Sequence, residues 1–299
     1  MLVKLKAFLK LIRWFHELLA ILPFLSLYFV INYFVNKSGV ECELSAFNFV
    51  LTCICVQLLI AAGCVLNDIK DRHIDKINKP NTHIIGNTIS LKEARIIFFV
   101  LTLLIVLLSI YISINMFKEW AIISASVYIS ALLYDYYLKR SPLFGNVLMA
   151  ILTAFIPLIL FFFAEDCINA LNNEKVNVLI YLYAALPFLI IIPRELSLDI
   201  SDMEGDKADG CKTLPILIGE KKSKQVVVFL LLLLITLSIP LVFTFQYLAL
   251  SLIVVDLLIL VYIYKLRIVK TRLEYIRIGR FLWFIMIIGL IGFTVSTII

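Results

Sequence analysis

Apolar and polar positions in this chain are sorted on a long scale. Runs of about twenty apolar residues alternate with short polar stretches, and the runs fall near 16–34, 48–66, 96–114, 119–138, 144–164, 176–193, 224–244, 246–266 and 277–298. An α-helix of about 20 residues crosses a hydrocarbon layer of ~30 Å. The pattern therefore predicts an all-α, polytopic membrane protein with nine transmembrane helices around a central cavity. No low-complexity tract or soluble module interrupts the runs, so residues 1–299 are expected to form a single domain. The start, Val3 to Trp14, is basic and amphipathic and lacks a small-residue cleavage site, which predicts an interfacial helix rather than a removed signal peptide.

Composition sharpens this. A 63% hydrophobic share against 16% charged residues excludes a soluble domain. Lys and Arg accumulate in cytoplasmic loops. With the N-terminus inside, 24 of the 27 Lys and Arg lie on that side, leaving Lys37, Lys118 and Lys175 outside. This predicts an integral protein of the cell membrane with a cytoplasmic N-terminus. The six cysteines form no C-x-x-C pair. Cys53, Cys55 and Cys64 read as small apolar residues of a span and Cys211 as a free thiol. Cys42 and Cys167 share the outer side, where a disulfide is open.

The candidate chemistry lies in a carboxylate pattern that occurs twice. Asp68, Asp71 and Asp75 follow the second span, and Asp199, Asp202 and Asp206 follow the sixth, at a constant offset of 131. Spacing of i, i+3, i+7 predicts one helix face for each trio, where like charges repel unless a cation lies between them. Two such faces turned toward each other would hold divalent cations. Carboxylates that leave room for phosphate oxygens suit Mg²⁺ with a diphosphate. Asn67 precedes Asp71 by four residues and could share its ion, Glu195 extends the second face by a turn, and Gly205 is expected to break the helix and turn Asp206 inward. A solvated polar helix end is the bland alternative for one cluster alone, and two matching clusters on the same predicted side disfavour it.

The runs N-D-x-x-D-x-x-x-D at 67–75 and R-E-x-x-x-D-x-x-D-x-x-G-D at 194–206 resemble the two signature motifs of the UbiA superfamily of intramembrane prenyltransferases. The resemblance implies an isoprenyl diphosphate bound through Mg²⁺, with two ions expected, and transfer of its prenyl group to a lipophilic acceptor. It implies metal or diphosphate ligands at Asn67, Asp68, Asp71, Asp75, Asp199, Asp202 and Asp206. Arg72 and Arg194, inside the motifs, become candidates for substrate binding. A third stretch, Tyr134-Asp135-Tyr136-Tyr137-Leu138-Lys139-Arg140 with Gly145-Asn146, resembles the Y-S-x-x-L-K-R…G-N segment of members that alkylate glycerol phosphate lipids. It implies that Lys139 and Arg140 neutralise the departing diphosphate and that Asn146 anchors the head group or packs in the bundle. For Arg140 the positive-inside bias is an equal alternative. The expected catalytic set is Asp71, Asp75, Asp202 and Lys139.

Two departures bear on the acceptor. Many quinone-type members carry an R-P pair after the first motif, whereas this chain has Lys79-Pro80-Asn81-Thr82. Lipid-type members often place a lysine before the first aspartate of the second motif, where Leu198 stands here. A glycerol phosphate lipid is the favoured acceptor, an aromatic or quinone precursor the runner-up, and a UbiA-type terpene cyclase or a cation or metabolite transporter the rivals. A CDP-alcohol phosphotransferase needs glycine where Arg72 and Met203 stand. No nucleic-acid partner is expected. Asp256, within a span, is expected to make an interhelical hydrogen bond; Glu17 is expected near the interface; His16, His73 and His83 show no metal-ligand spacing.

Overall fold

The structure is a computed structural model, which describes all residues except Met1, Lys79, Asn81 and Thr82, and leaves the side chains of His16 and Glu17 undescribed. The R-P departure at 79–82 and the expectations for Glu17 and His16 thus fall largely or wholly outside the described residues. The described residues are mostly helical: α1 Leu2–Leu11, α2 Trp14–Ser38, α3 Ala46–Lys70, α4 Arg72–Asn78, α5 Leu91–Asn115, α6 Trp120–Tyr136, α7 Phe144–Phe163, α8 Glu165–Leu171, α9 Glu174–Ala208, α10 Leu214–Ile218, α11 Glu220–Thr244, α12 Ala249–Ile268 and α13 Arg272–Ile298. Short 3₁₀ turns follow α6 at Leu138–Arg140 and precede α12 at Gln246–Leu248. Among the described residues, nine helices are long and apolar enough to cross a membrane, one for each predicted run.

Local chemistry accounts for several helix starts. Ser45 accepts a hydrogen bond from Asn48 N–H at the start of α3. Ser90 with Glu93 and Thr271 with Glu274 form reciprocal capping boxes for α5 and α13, satisfying backbone donors that a helix leaves orphaned. Large exposed side chains such as Phe99, Ile114, Phe229 and Leu250 suit helices whose outer faces meet lipid rather than water.

The helices group into two compact units. One comprises Met1–Leu22, Glu43–Lys139 and Ala208–Gly210; the other comprises Pro23–Cys42, Arg140–Lys207 and Cys211–Ile299. In the first, α3 packs on α5 and α6, and its core joins Leu59, Val65 and Ile69 to Ile85, Leu101 and Ile105. Ala7 and Leu11 of α1 enter that core while Leu2, Val3 and Leu5 stay exposed, as an interfacial helix requires. The second unit packs α12 on α11 and α13 around Leu196, Leu231, Ile259, Tyr262 and Leu282. Gly292 gives α13 its close approach to α12: a Cβ there would stand 2.8 Å from Ser251 Cβ. Ser238 of α11 donates to Asp256 of α12, the interhelical bond expected for a carboxylate in a span. Cys42 and Cys167 form a disulfide within this unit, resolving the alternative left open by the sequence.

Two local expectations are corrected. The first aspartate trio does not sit on one helix: α3 ends at Lys70, Asp71 occupies the turn with its N–H on Asn67 O, and α4 begins at Arg72. Gly205 does not break α9, which runs on to Ala208, and Gly205 is buried inside it. The chain turns instead at Gly210, whose φ of +74° lies in the left-handed region that glycine enters without a Cβ penalty.

Candidate active site

In the first unit the end of α3, the turn at Asp71 and the end of α6 bring six polar side chains into one network. Arg13 leaves α1 with a φ of +54°, unusual for a residue with a Cβ, and its Nη2 donates to Asn67 Oδ1 at 2.9 Å and Asp68 Oδ1 at 3.2 Å. Asn67 Nδ2 donates to Asp135 Oδ1 at 3.0 Å. Lys139 Nζ donates to Asp71 and lies 3.6 Å from Asp135 Oδ1. Arginine has no acceptor, so Arg13 selects the oxygen of the Asn67 amide and leaves its nitrogen for Asp135. Asp75 is buried in α4 and its N–H bonds to Asp71 O at 2.7 Å. Arg72 Nη1 returns to Ile69 O, a free carbonyl at the end of α3. His73 is exposed, away from the buried side of α4.

The second unit carries the other cluster on the last turns of α9. Asn146, at the start of α7 and buried, donates from Nδ2 to Asp199 Oδ2 at 2.8 Å. Arg272, in the first turn of α13, brings Nε and Nη2 each to 2.9 Å from Asp202 Oδ1. Arg194 donates to its neighbour Glu195 and stacks over Trp283 with its Cζ 5.1 Å from the ring centroid, while its Nε is buried without a hydrogen-bond partner. A buried guanidinium N–H left unpaired is costly, and an anion is the partner it suits. Asp206 accepts Cys211 N–H on its backbone carbonyl, and Arg140 accepts Lys212 N–H in the same way.

Asp68, Asp71, Asp199 and Asp202 thus each meet a cation or an amide supplied by the chain. Among the described residues no three Asp, Glu, His or Cys side chains converge on one point. The donor set still fits Mg²⁺: it is all oxygen, and this ion is commonly held by one or two carboxylates with substrate phosphates and water completing its shell. Three contact residues escaped the sequence reading. Arg13 and Arg272 reach their aspartates across 55 and 70 positions, so no local spacing marks them. Asp135 did leave a signal, as a carboxylate inside a span four residues before Lys139.

The sequence matches the profile of the UbiA prenyltransferase family over residues 18–288. This chain belongs to the UbiA prenyltransferase family. Among curated UbiA relatives, the digeranylgeranylglyceryl phosphate synthase of Methanosphaera stadtmanae is 34% identical over 182 residues, 61% of this chain and 62% of that protein. The chain therefore spans about three fifths of the length of that relative. A solved structure of a digeranylgeranylglyceryl phosphate synthase is 29% identical with a TM-score of 0.61, covering 99% of both chains. A UbiA homologue from Archaeoglobus fulgidus bound to GPP and Mg²⁺ is 18% identical with a TM-score of 0.58, covering 96% of this chain and 99% of that one, and so shares the fold.

Proposed function

We propose that this chain is a Mg²⁺-dependent prenyltransferase that moves a polyprenyl group from an isoprenyl diphosphate to a glycerol phosphate lipid of the geranylgeranylglyceryl phosphate type. The observation that carries this reading is the pair of acidic clusters, each with oxygen donors beside cations of the chain, in a UbiA family sequence. Its likeness to digeranylgeranylglyceryl phosphate synthases, and the 134–146 stretch, support the acceptor class.

In this reading Asn67, Asp68, Asp71, Asp75, Asp199, Asp202 and Asp206 hold two Mg²⁺ ions and the diphosphate, and residues 1–299 work as one domain. When bound, Mg²⁺ supplies positive charge to the diphosphate as it becomes a leaving group. Lys139 and Arg194 add fixed positive charge where negative charge develops, and Arg140 and Arg72 contribute to binding the substrate. Asn146 orients Asp199, and the apolar spans exclude water from the allylic group until the acceptor attacks. The N-terminus and the mouth of the site face the cytoplasm, in keeping with the placement of Lys and Arg.

The test is purified protein in lipid with Mg²⁺ and labelled geranylgeranyl diphosphate, with geranylgeranylglyceryl phosphate, with a hydroxybenzoate, or with neither. Label joined to the glycerol phosphate lipid is expected. Label on the aromatic acceptor would move the assignment to quinone precursors, and label in a free hydrocarbon to a cyclase. Absence of turnover with every donor length would overturn the enzyme reading.

A further inference from the structure

Asp135 stands outside the repeated aspartate pattern yet lies at the centre of the first cluster's network. It occupies the last turn of α6 and is 3% exposed. Burying a carboxylate so deeply is costly unless it is paired and hydrogen-bonded. Its partners are Asn67 Nδ2 at 3.0 Å and Lys139 Nζ at 3.6 Å. Lys139 is also held by Asp71, whose side chain is 20% exposed against 10% for Lys139. One ammonium is therefore hydrogen-bonded to an outer carboxylate and within ion-pair range of an inner one.

Two consequences follow from this placement. The Asp135 carboxylate, 3.6 Å from the ammonium that Asp71 holds, offsets part of that positive charge, so the cluster keeps net negative charge for a metal. The inner carboxylate also holds the amide nitrogen of Asn67, which leaves the amide oxygen to accept from Arg13, the donor that also reaches Asp68. The stretch this region resembles, Y-S-x-x-L-K-R, has serine at the place of Asp135. A serine has neither the charge to offset Lys139 nor the same reach toward Asn67.

We propose that Asp135 is a positioning residue of the first cluster, orienting Asn67 and offsetting with its own charge part of the positive charge that Lys139 presents to Asp71, so that the cluster takes up Mg²⁺ at lower concentration. This rests on the prenyltransferase reading of the site. Groups that orient metal ligands typically contribute about 10- to 100-fold to metal affinity.

The experiment titrates Mg²⁺ into the full chain in lipid and follows the melting temperature without substrate, then turnover with geranylgeranyl diphosphate and geranylgeranylglyceryl phosphate. Asp135→Asn keeps an acceptor for Asn67 but loses the charge, and Asp135→Ser loses both. Both are expected to raise the Mg²⁺ midpoint by about tenfold or more, with serine the larger effect. Asp135→Glu, which restores the charge, is expected to bring the midpoint back toward wild type. A lower melting temperature with an unchanged midpoint in the asparagine variant would make Asp135 merely structural and overturn the proposal. Asparagine is isosteric, so this arm stands even where serine unfolds the bundle. Wild-type protein that binds Mg²⁺ but transfers no prenyl group would sink the prenyltransferase reading instead, leaving the midpoint comparison to decide the role of Asp135.

Discussion

At the scale of single residues, what matters about each aspartate is the group that faces it. Asp202 meets Arg272 at a partly exposed position, and an exposed ion pair contributes about 1 kcal/mol or less to stability. Asp202→Ala should therefore melt close to wild type while losing turnover at least about 100-fold if the carboxylate is a ligand. Asp71→Ala should lose turnover likewise. Retained activity in either variant, measured in the labelled-donor assay, would remove it from the ligand set. Asn146 predicts the opposite balance of effects. Its amide is buried and bonded to Asp199, so Asn146→Ala leaves a carboxylate oxygen short of a partner and should cost about 1–3 kcal/mol in a denaturation experiment. An unchanged unfolding midpoint would show that water replaces the amide and that Asn146 does not hold Asp199.

At the scale of elements, the spans were legible because the bilayer fixes their length and forbids unpaired backbone inside it. Their ends were less so, because hydropathy falls before the helix does. The sixth apolar run stops near 193, yet α9 continues to Ala208 and carries Asp199, Asp202 and Asp206 within the same rod. Spacing placed the first trio on one face, but Asp71 sits in a turn that only the structure displays. Glycine alone could not mark the break: Gly205 keeps helical geometry while Gly210, five residues on, takes φ of +74°. No atom outside its chain neighbours lies within 4 Å of a Cβ at Gly210, so Gly210→Ala is a test of strain without clash. It should cost about 1–2 kcal/mol, and should raise hydrogen exchange at the Cys211 amide that caps Asp206. Unchanged exchange there would mean that the turn tolerates a Cβ and does not fix the end of α9.

At the scale of the whole molecule, the placement of charge and the disulfide bear on one question, the orientation in the membrane. The sequence alone divides Lys and Arg 24 to 3 between the two sides, and the predicted outer side is the one that holds both Cys42 and Cys167. The bond between them suits that side, because disulfides persist where the environment is oxidising and are reduced in the cytosol. Their pairing was not legible from spacing, since 125 residues separate them and six cysteines allow many pairings. If the N-terminus is cytoplasmic, a cysteine placed at exposed Lys118 should react with a membrane-impermeant maleimide on intact cells, and one at exposed Lys222 only after permeabilisation. The reverse pattern would invert the topology and turn both aspartate clusters away from the cytoplasm. Reduction supplies the second arm. A bond closing so long a loop should contribute about 2–5 kcal/mol, so a reductant or Cys42→Ser should lower the melting temperature of the purified protein. Both cysteines lie in the unit that holds Asp199 and Asp202, and loss of Mg²⁺-dependent stabilisation on reduction would tie the outer staple to the second cluster.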